Sequence, residues 1–340
     1  MKKKTAIITG VTGQDGSYLA NLLIKKGIKV YGIIRRTSSD PLYRLKYFNI
    51  DKKINFINAD LFEHQKIHSC INLIKPNFFF NLAAQSFVAY SYGNPIYTDN
   101  VNNLSVLNIL ESIKNTSNKT KFYQASSSEM YGGLNERKKK LNEYSKFNPI
   151  SPYAISKLSA YHYTRMYRKS YSIFASNGVL FNHESPLRGE QFVTKKIVKG
   201  LVEILNGKKK NPIYLGNIYA RRDWGHAEDY VNVIYKIMNY KKADDFVIAS
   251  NKNFSVKEFI NLTAKNLGMK IFWSGKGLKE KATNKDKKVI IKINKKFFRP
   301  MDINDLVGDT YKARKKLKWK PKRSINELIK DMILYEKNFK

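Results

Sequence analysis

Several residue types and patterns are scarce in this chain of 340 residues, and each scarcity excludes a class of protein. The single cysteine, Cys70, cannot form an internal disulfide or a thiolate metal cluster, which favours a reducing compartment, and we expect a cytoplasmic protein. No stretch of the sequence approaches the ~20 apolar residues of a membrane-spanning helix. The short apolar run near the N-terminus does not resemble a signal peptide.

Acidic residues are also scarce, with 27 Asp and Glu against 63 Lys and Arg, so the formal net charge is +36. This excess leaves two interpretations open, a lysine-rich solvated surface or a patch that attracts a polyanion. His183 and His226 have no metal-ligand spacing around them, so we predict no metal site and assign both to structural hydrogen bonds. Hydrophobic residues at 42% are sufficient for a folded core.

Short apolar runs bounded by Gly, Asn or Asp alternate with longer amphipathic segments, a pattern typical of helices on both faces of a parallel sheet. We predict an α/β fold, with a doubly wound parallel sheet of the Rossmann type and a smaller C-terminal α/β region. The first domain covers 1–181, with 219–250 returning to it, and the second covers mainly 182–340. The predicted strands are 5–9, 29–34, 54–58, 77–82, 121–125 and 174–180, the predicted helices are 17–26, 64–74, 99–114 and 152–170, and 274–288 is predicted as a loop.

A glycine turn follows the first predicted strand and leads directly into a helix. Gly10, Gly13 and Gly16 form GxxGxxG, in which glycine permits a tight turn and lets backbone N–H groups approach a pyrophosphate. The second strand ends in Arg35 and Arg36, where an NAD enzyme usually has an acidic residue for the ribose diol. Two guanidinium groups suit a 2′-phosphate instead, so we predict NADP as the cofactor.

Further cofactor contacts are predicted where later strands end, since ligands bind at the carboxyl edge of open α/β sheets. Asp60, after the third strand, is placed to accept the adenine amino group. The predicted cofactor contacts are Gly10, Gly13, Gln14, Asp15, Gly16, Arg35, Arg36, Asp60, Leu61, Leu82, Ala83, Ala84, Tyr153 and Lys157.

A tyrosine and a lysine four residues apart indicate oxidation of an alcohol. Tyr153 and Lys157 project from one face of a predicted helix. An ammonium beside the phenol, together with a positive nicotinamide ring, favours phenolate, so the tyrosine is predicted to act as a base below its usual pKa of ~10. Ser127 stands at the end of a predicted strand, where its hydroxyl can hold the sugar oxygen that is oxidised.

Glu129 narrows the predicted reaction, because a simple alcohol dehydrogenase has no use for a carboxylate beside the nicotinamide. A dehydratase needs one: oxidation at C4 of a sugar acidifies the C5 proton, a carboxylate removes it, and the C6 hydroxyl leaves as water. The alternative is that Glu129 only caps or hydrogen-bonds the following loop.

These residues belong to segments that resemble the GDP-mannose 4,6-dehydratase family, within the extended short-chain dehydrogenase/reductase superfamily. The likeness runs over nearly the whole chain. It is carried by ITGVTGQDGSYLA at 8–20, FYQASSSEMYG at 122–132, SPYAISKL at 151–158, LFNHESPLRGEQFVTKKI at 180–197, LGNIYARRDWGHAEDYV at 215–231 and FFRPMDINDLVGDTYKARKKLKWKP at 297–321.

The resemblance implies roles for individual residues. It implies that Ser127 takes the Thr or Ser position of the catalytic triad, that Tyr153 is the base for the C4 hydroxyl with Lys157 as its partner, and that Glu129 is the C5 base. Lys196, Arg222 and Arg299 would face the diphosphate of a GDP-sugar. The substrate contacts predicted in full are Gln85, Ser86, Ser127, Asn182, Val193, Lys196, Leu215, Arg222, Arg299 and Asp302.

The sequence also departs from the family. Asp302 stands where the family usually has glutamate, and Ile150 and Leu187 stand where many relatives have arginine. The connection after Arg36 is shorter than in many members, which leaves a homodimer and a homotetramer both open. Open alternatives for function are the same chemistry on a GDP-manno-heptose, a nucleotide-sugar reductase or epimerase, and a basic nucleotide- or RNA-binding protein on an inactive scaffold.

Overall fold

The computed structural model describes residues 3–133 and 139–338. Its strands are β1 (Thr5–Thr9), β2 (Lys29–Ile34), β3 (Asn55–Asn58), β4 (Phe78–Asn81), β5 (Lys121–Ser127), β6 (Ala175–Leu180), β7 (His183–Glu184), β8 (Ile213–Leu215), β9 (Arg221–Arg222), β10 (Gly225–His226), β11 (Phe246–Ile248), β12 (Phe254–Ser255), β13 (Ile271–Ser274), β14 (Lys281–Asn284) and β15 (Val289–Ile293).

The helices are α1 (Gln14–Lys25), α2 (Tyr43–Tyr47), α3 (His64–Ile74), α4 (Val88–Gly93), α5 (Pro95–Asp99), α6 (Ser105–Thr116), α7 (Pro152–Ser170), α8 (Val193–Leu205), α9 (Ala227–Met238), α10 (Val256–Asn266), α11 (Tyr311–Leu317) and α12 (Ile325–Asn338). Between α5 and α6 the chain forms a π-helical segment, Asn100–Leu104. None of the helices in the described residues is long and apolar enough to cross a membrane.

Among the described residues, seven parallel strands form the main sheet in the order β11-β6-β5-β4-β1-β2-β3. Its central strands are apolar runs buried on both faces, as in Phe78–Asn81, because helices cover both sides of the sheet. The predicted doubly wound fold is confirmed.

Three predicted elements differ clearly from the structure. The predicted helix 99–114 is divided, since α5 ends at Asp99, the π-helical segment covers Asn100–Leu104 and α6 begins at Ser105. The first helix begins at Gln14 rather than Ser17, inside the glycine turn. The predicted loop 274–288 was wrong, since it contains the last residue of β13 and all of β14, which pairs with β13 and β15 in an antiparallel meander. Lysines such as Lys281 and Lys292, paired on the exposed face, obscure the alternation, although the neighbouring pair of Ala282 and Ile291 is buried on the opposite face.

The second half of the chain contributes to both parts of the fold. Strand β11 extends the main sheet beside β6, and α9 packs against α1. In the described part of the chain, β13, β14, β15 and β8 form a second sheet, which shares a core with α8, α10 and α12. The carboxyl edge of the main sheet thus faces this second layer.

Candidate active site

A cavity of about 1090 Å³ opens at the carboxyl edge of the main sheet. It contains residues that follow β1, β2, β3, β4, β5 and β6, together with residues from the second layer. All predicted catalytic, cofactor and substrate residues line it except Arg36. Arg36 lines an adjoining cavity of about 980 Å³, which also borders Arg35 and Asp60.

Glycine is required at two positions of the glycine turn, because a Cβ there would meet neighbouring backbone atoms. Gly10 has φ +68°, and a Cβ there would lie 2.8 Å from the amide nitrogen of Ala83. A Cβ on Gly16 would lie 2.1 Å from the carbonyl oxygen of Gly10. Gly13 precedes α1 without a side-chain cap, so the first-turn N–H groups of this helix are available to an anion in the cavity.

The loop after β4 is held by a threonine that sequence reasoning missed. The Thr9 hydroxyl donates to Asn81 Oδ1 at 2.7 Å and accepts from the amides of Leu82 and Ala83, both at 3.1 Å. A hydroxyl can donate once and accept twice, so its capacity is fully used. The predicted contacts Leu82 and Ala83 are therefore fixed at the cavity wall by their backbone.

The π-helical segment fixes the next part of this loop. Asn102 accepts from the Gln85 amide at 2.9 Å and donates to the Gln85 carbonyl at 3.0 Å. The Gln85 side chain donates to the Phe87 carbonyl and to Thr98 Oγ1, both at 3.2 Å. Gln85 is thus engaged within its own loop, whereas Ser86 beside it is exposed at the cavity.

The strand ends after β2 and β3 carry groups of opposite charge. Arg35 donates to the Tyr97 hydroxyl at 3.2 Å, which directs its guanidinium across the cavity mouth. The carboxylate of Asp60 accepts from the Phe62 amide at 3.1 Å and so forms part of its own turn. Leu61, next to Asp60, is buried at the same wall.

The predicted catalytic residues meet at the end of β5. Ser127 is the last residue of that strand and accepts from the Glu129 amide at 3.2 Å. Helix α7 begins just before Tyr153, so Tyr153 and Lys157 lie on its first two turns and both are buried. The Lys157 ammonium donates to the Ala125 carbonyl at 3.0 Å and lies 6.0 Å from the centre of the Tyr153 ring.

Burial dominates the protonation of this pair. It raises the pKa of Tyr153 to about 12, although a hydrogen bond from Ser127 acts in the opposite direction. Burial also lowers the pKa of Lys157 from 10.5 to about 8. The sequence predicted a Tyr153 pKa below its usual value. With the residues of the chain alone, this pKa is instead above its usual value.

Charged side chains form a row from Glu129 into the second layer. Arg299 lies 3.8 Å from Glu129 and 3.8 Å from Asp302, and Arg222 lies 3.1 Å from Asp302. Arg222 is buried and also donates to the Ile303 carbonyl at 2.6 Å. Asp302 is thus already engaged with two cations.

The remaining predicted substrate residues form the opposite wall. Lys196 lies 3.8 Å from the centre of the Phe297 ring, and burial lowers its pKa. Val193 and Leu215 supply apolar surface there. The buried Oδ1 of Asn182 has no hydrogen-bond partner within residues 3–133 and 139–338, which suits a ligand that donates to it.

Gln14 and Asp15 connect the glycine turn to the segment after β6. Asp15 lies 2.7 Å from His183 Nε2, and Gln14 donates to the His183 carbonyl at 3.2 Å. Burial disfavours the charged form of both side chains. Their attraction outweighs burial, so the pKa of Asp15 is lowered and the pKa of His183 is raised. The His183 ring also stacks on Tyr230 at 4.4 Å.

Arg188 is another cavity residue that sequence reasoning missed. Its guanidinium stacks 3.5 Å from the centre of the Phe192 ring, and its Nε lies 2.9 Å from Glu184. It lies close enough to Tyr153 to lower the pKa of that phenol slightly against burial. Its only sequence signal is its place inside 180–197. The described residues contain no group of three or more His, Cys, Asp or Glu side chains arranged for a metal ion.

Comparison with known proteins places this site in a family context. A family profile described as GDP-mannose 4,6 dehydratase matches residues 7–332. GDP-mannose 4,6 dehydratase 2 of Caenorhabditis elegans is 42% identical over 98% of this chain and 88% of its own length. GDP-mannose 4,6-dehydratase of Vibrio cholerae is 42% identical, covering 98% and 93%, and the human GDP-mannose 4,6 dehydratase is 40% identical, covering 97% and 91%.

Solved structures with similar folds are more distant in sequence. A UDP-glucuronic acid 4-epimerase from Bacillus cereus, in complex with UDP-glucuronic acid and NAD, has a TM-score of 0.82 at 20% identity, covering 99% of this chain and 100% of that one. A dTDP-glucose 4,6-dehydratase from Bacillus anthracis, in complex with NAD, has a TM-score of 0.81 at 20% identity, covering 98% and 97%. At these identities the likeness shows the shared fold alone.

Proposed function

The chain belongs to the GDP-mannose 4,6-dehydratase family, and from this premise we propose that it converts GDP-mannose into GDP-4-keto-6-deoxymannose and water with NADP as cofactor. One observation supports the proposal most. A carboxylate, Glu129, stands beside Ser127, Tyr153 and Lys157 in a single cavity that also carries cations for a diphosphate. This is the set of groups that a sugar dehydratase needs in addition to those of an alcohol dehydrogenase.

The cavity fits a dinucleotide at its sheet side. Gly13 leaves the N-terminus of α1 open for the pyrophosphate. Arg35 and Arg36, on two sides of one strand end, suit a 2′-phosphate, which favours NADP over NAD. When bound, NADP supplies the hydride acceptor for C4 and the hydride donor for C6, so the reaction has no net oxidation.

Tyr153 takes the proton from the C4 hydroxyl. Ser127 hydrogen-bonds the phenol, which lowers its pKa, and holds the sugar oxygen. The Lys157 ammonium, 6.0 Å from the centre of the Tyr153 ring, is the positive group beside the phenol. The pKa of about 12 in the chain alone means that an additional positive charge is needed at neutral pH. The oxidised nicotinamide ring of NADP would supply such a charge.

Glu129 carries out the elimination. Its carboxylate removes the C5 proton that the C4 ketone has acidified, the C6–O bond breaks, and a C5=C6 double bond forms. The same proton is returned to the leaving hydroxyl, which departs as water. Hydride addition at C6 and proton addition at C5 then give the 6-deoxy product, and the proton that Tyr153 took from the C4 hydroxyl balances the one added at C5.

The second layer holds the nucleotide-sugar. Lys196 and Arg299 face the cavity as cations for the diphosphate, while Arg222 is oriented by Asp302 and the Ile303 carbonyl. The buried Asn182 amide oxygen accepts a hydrogen bond from the sugar or ribose. A GDP-manno-heptose would require the same residues and additional room beyond C6.

A label-transfer experiment tests this function. GDP-mannose deuterated at C4 is incubated with the protein and NADP. The product is expected to be lighter than the substrate by one water and to carry the deuterium at C6. Glu129→Gln is expected to abolish water loss, with Glu203→Gln as the matched control, since the Glu203 carboxylate lies 3.9 Å from Lys199 and does not line the cavity. Label released to solvent or retained in NADPH would refute the hydride return, and unchanged turnover of Glu129→Gln would favour a reductase or epimerase.

The division into domains follows from the same assignment. We propose that 1–181 and 219–250 bind the cofactor, because β11 and α9 complete the main sheet and its helical layer. Residues 182–340 then mainly bind the substrate. The cytoplasmic location, the homo-oligomeric state and the absence of a nucleic-acid partner stay predictions.

A further inference from the structure

A buried carboxylate beside the substrate cavity has no role in the chemistry proposed above. Asp223 follows Arg222 directly and is fully buried. Its Oδ1 accepts from the Ser250 amide at 2.6 Å, and its Oδ2 accepts from the amides of Asn251 at 3.0 Å and Gly308 at 3.2 Å. Three backbone donors on one carboxylate join segments that are distant in sequence.

Asn251 extends this junction. Its backbone has φ +67°, a left-handed conformation that asparagine adopts more readily than most residues. Its side chain donates to the Thr310 hydroxyl at 2.7 Å and accepts from the Thr310 amide at 2.9 Å. Asp223 and Asn251 therefore hold the end of β11 against the turn at 308–310.

The same two segments are aligned on the side toward the cavity. The Arg221 amide donates to the Asn304 carbonyl at 2.8 Å, and the Leu306 amide donates to the Arg221 carbonyl at 3.2 Å. Between these bonds, Arg222 reaches Asp302 and the Ile303 carbonyl. The segment 302–308 is thus attached to 221–223 along its length, with Asp223 at the far end.

We infer that Asp223 is a positioning residue for the nucleotide-sugar end of the cavity, acting through Arg222 and Asp302. Without the Asp223 carboxylate, the hydrogen bond that joins 221–223 to Gly308, at the end of 302–308, is lost. The distances from Arg222 to Asp302 and from Asp302 to Arg299 are then no longer fixed. Asp223 touches neither substrate nor cofactor in this arrangement, since it does not line the cavity. The inference rests on the proposed function for the identity of the ligand, GDP-mannose.

The test is Asp223→Asn, a substitution that keeps the shape and one acceptor oxygen. Its amide NH₂ would face the N–H groups of Asn251 and Gly308, so two hydrogen bonds are replaced by opposed donors. We expect KM for GDP-mannose to rise about tenfold while kcat changes less than about twofold, the pattern for a loss of uniform binding. KM for NADP is expected to stay constant.

A matched control is available elsewhere in the chain. Asp229 is also buried and its carboxylate accepts from two backbone amides, those of Lys322 at 2.8 Å and Arg323 at 2.9 Å. It joins α9 to the C-terminal segment and does not line the cavity. Both amides bind the same oxygen, which asparagine can retain, so Asp229→Asn is expected to lower the unfolding midpoint less than Asp223→Asn does and to leave KM for GDP-mannose within about twofold of the wild type.

Two outcomes overturn the inference: equal KM values for Asp223→Asn and Asp229→Asn, or a fall in kcat and a rise in both KM values together. If Asp223→Asn does not fold, Asp223→Ser replaces it, because the smaller hydroxyl removes the shared carboxylate without placing an NH₂ group against the amides of Asn251 and Gly308. An unchanged KM in that variant also overturns the inference. The dissociation constant of GDP is measured in parallel, so that a wild type without dehydratase activity refutes the proposed function while GDP affinity still tests Asp223.

Discussion

Replacing Lys157 with methionine is expected to make the nucleotide-free protein more stable and inactive at the same time. Burial lowers the pKa of Lys157 from 10.5 to about 8, so folding at pH 7 carries the free-energy cost of a buried charge. At 1.36 kcal/mol per pKa unit, this cost is about 3 kcal/mol. Methionine removes the cost and loses the hydrogen bond to the Ala125 carbonyl, which contributes about 1 kcal/mol.

The expected net gain is about 2 kcal/mol in the free energy of unfolding at pH 7. The pH dependence identifies its cause. The folded state has the lower lysine pKa, so between about pH 8 and 10.5 the unfolded state binds more protons and the wild type becomes more stable as pH rises. The advantage of Lys157→Met is therefore largest below pH 8 and disappears toward pH 10.5.

Urea unfolding at several pH values between 7 and 10.5 measures this difference. Lys169→Met, at an exposed position on the same helix, is the control and is expected to change stability by less than about 0.5 kcal/mol. Activity of Lys157→Met with GDP-mannose is expected to fall at least about 100-fold. A variant no more stable than the wild type at pH 7, or a difference that does not shrink with rising pH, would refute the reasoning.

Three further predictions concern the cofactor side. Arg35→Ser is expected to raise KM for NADP at least about tenfold and to leave KM for NAD nearly unchanged, because one charge-assisted contact to the 2′-phosphate is lost; equal effects on both cofactors in steady-state kinetics would contradict this. Gly10→Ala is expected to lower the free energy of unfolding by more than about 2 kcal/mol in urea titrations, since its Cβ would lie 2.8 Å from the Ala83 nitrogen at φ +68°, and a stable variant would contradict the packing argument. The Tyr153 phenol is expected to titrate at about 12 in the nucleotide-free protein and lower with saturating NADP, seen as a difference in ultraviolet absorbance between the wild type and Tyr153→Phe; the same titration in both states would remove the electrostatic role of the cofactor.

Much of the main sheet could be predicted because its signals are local. The bounds of β1 and β2, of α3 and of α7 agree with the sequence pattern to within a residue, since apolar runs and helical periodicity mark each element. The glycine turn and the Tyr153–Lys157 pair could be located for the same reason. Their spacing is fixed by one turn or one helix.

The contacts that complete the cavity could not be predicted, because they join residues far apart in sequence. Thr9 reaches the loop after β4, and Asn102 reaches Gln85 only through a π-helical segment that has no sequence signature. The direction of the Tyr153 pKa also depends on burial, which the spacing of two residues does not reveal. Resemblance located the predicted substrate residues that line the cavity, but not the ion pairs that join Arg222 and Arg299 to Asp302.

The way β11 joins the main sheet limits how this enzyme can be taken apart. This strand comes after the first predicted substrate residues in sequence, yet it pairs with the edge of β6. A fragment ending near residue 181 would expose that edge as a template for intermolecular pairing and would remove α9 from α1. The C-terminal half therefore cannot be exchanged as a single segment to change sugar specificity. A chimera between relatives should keep 219–250 with the main sheet, with one crossover point before this segment and one after it.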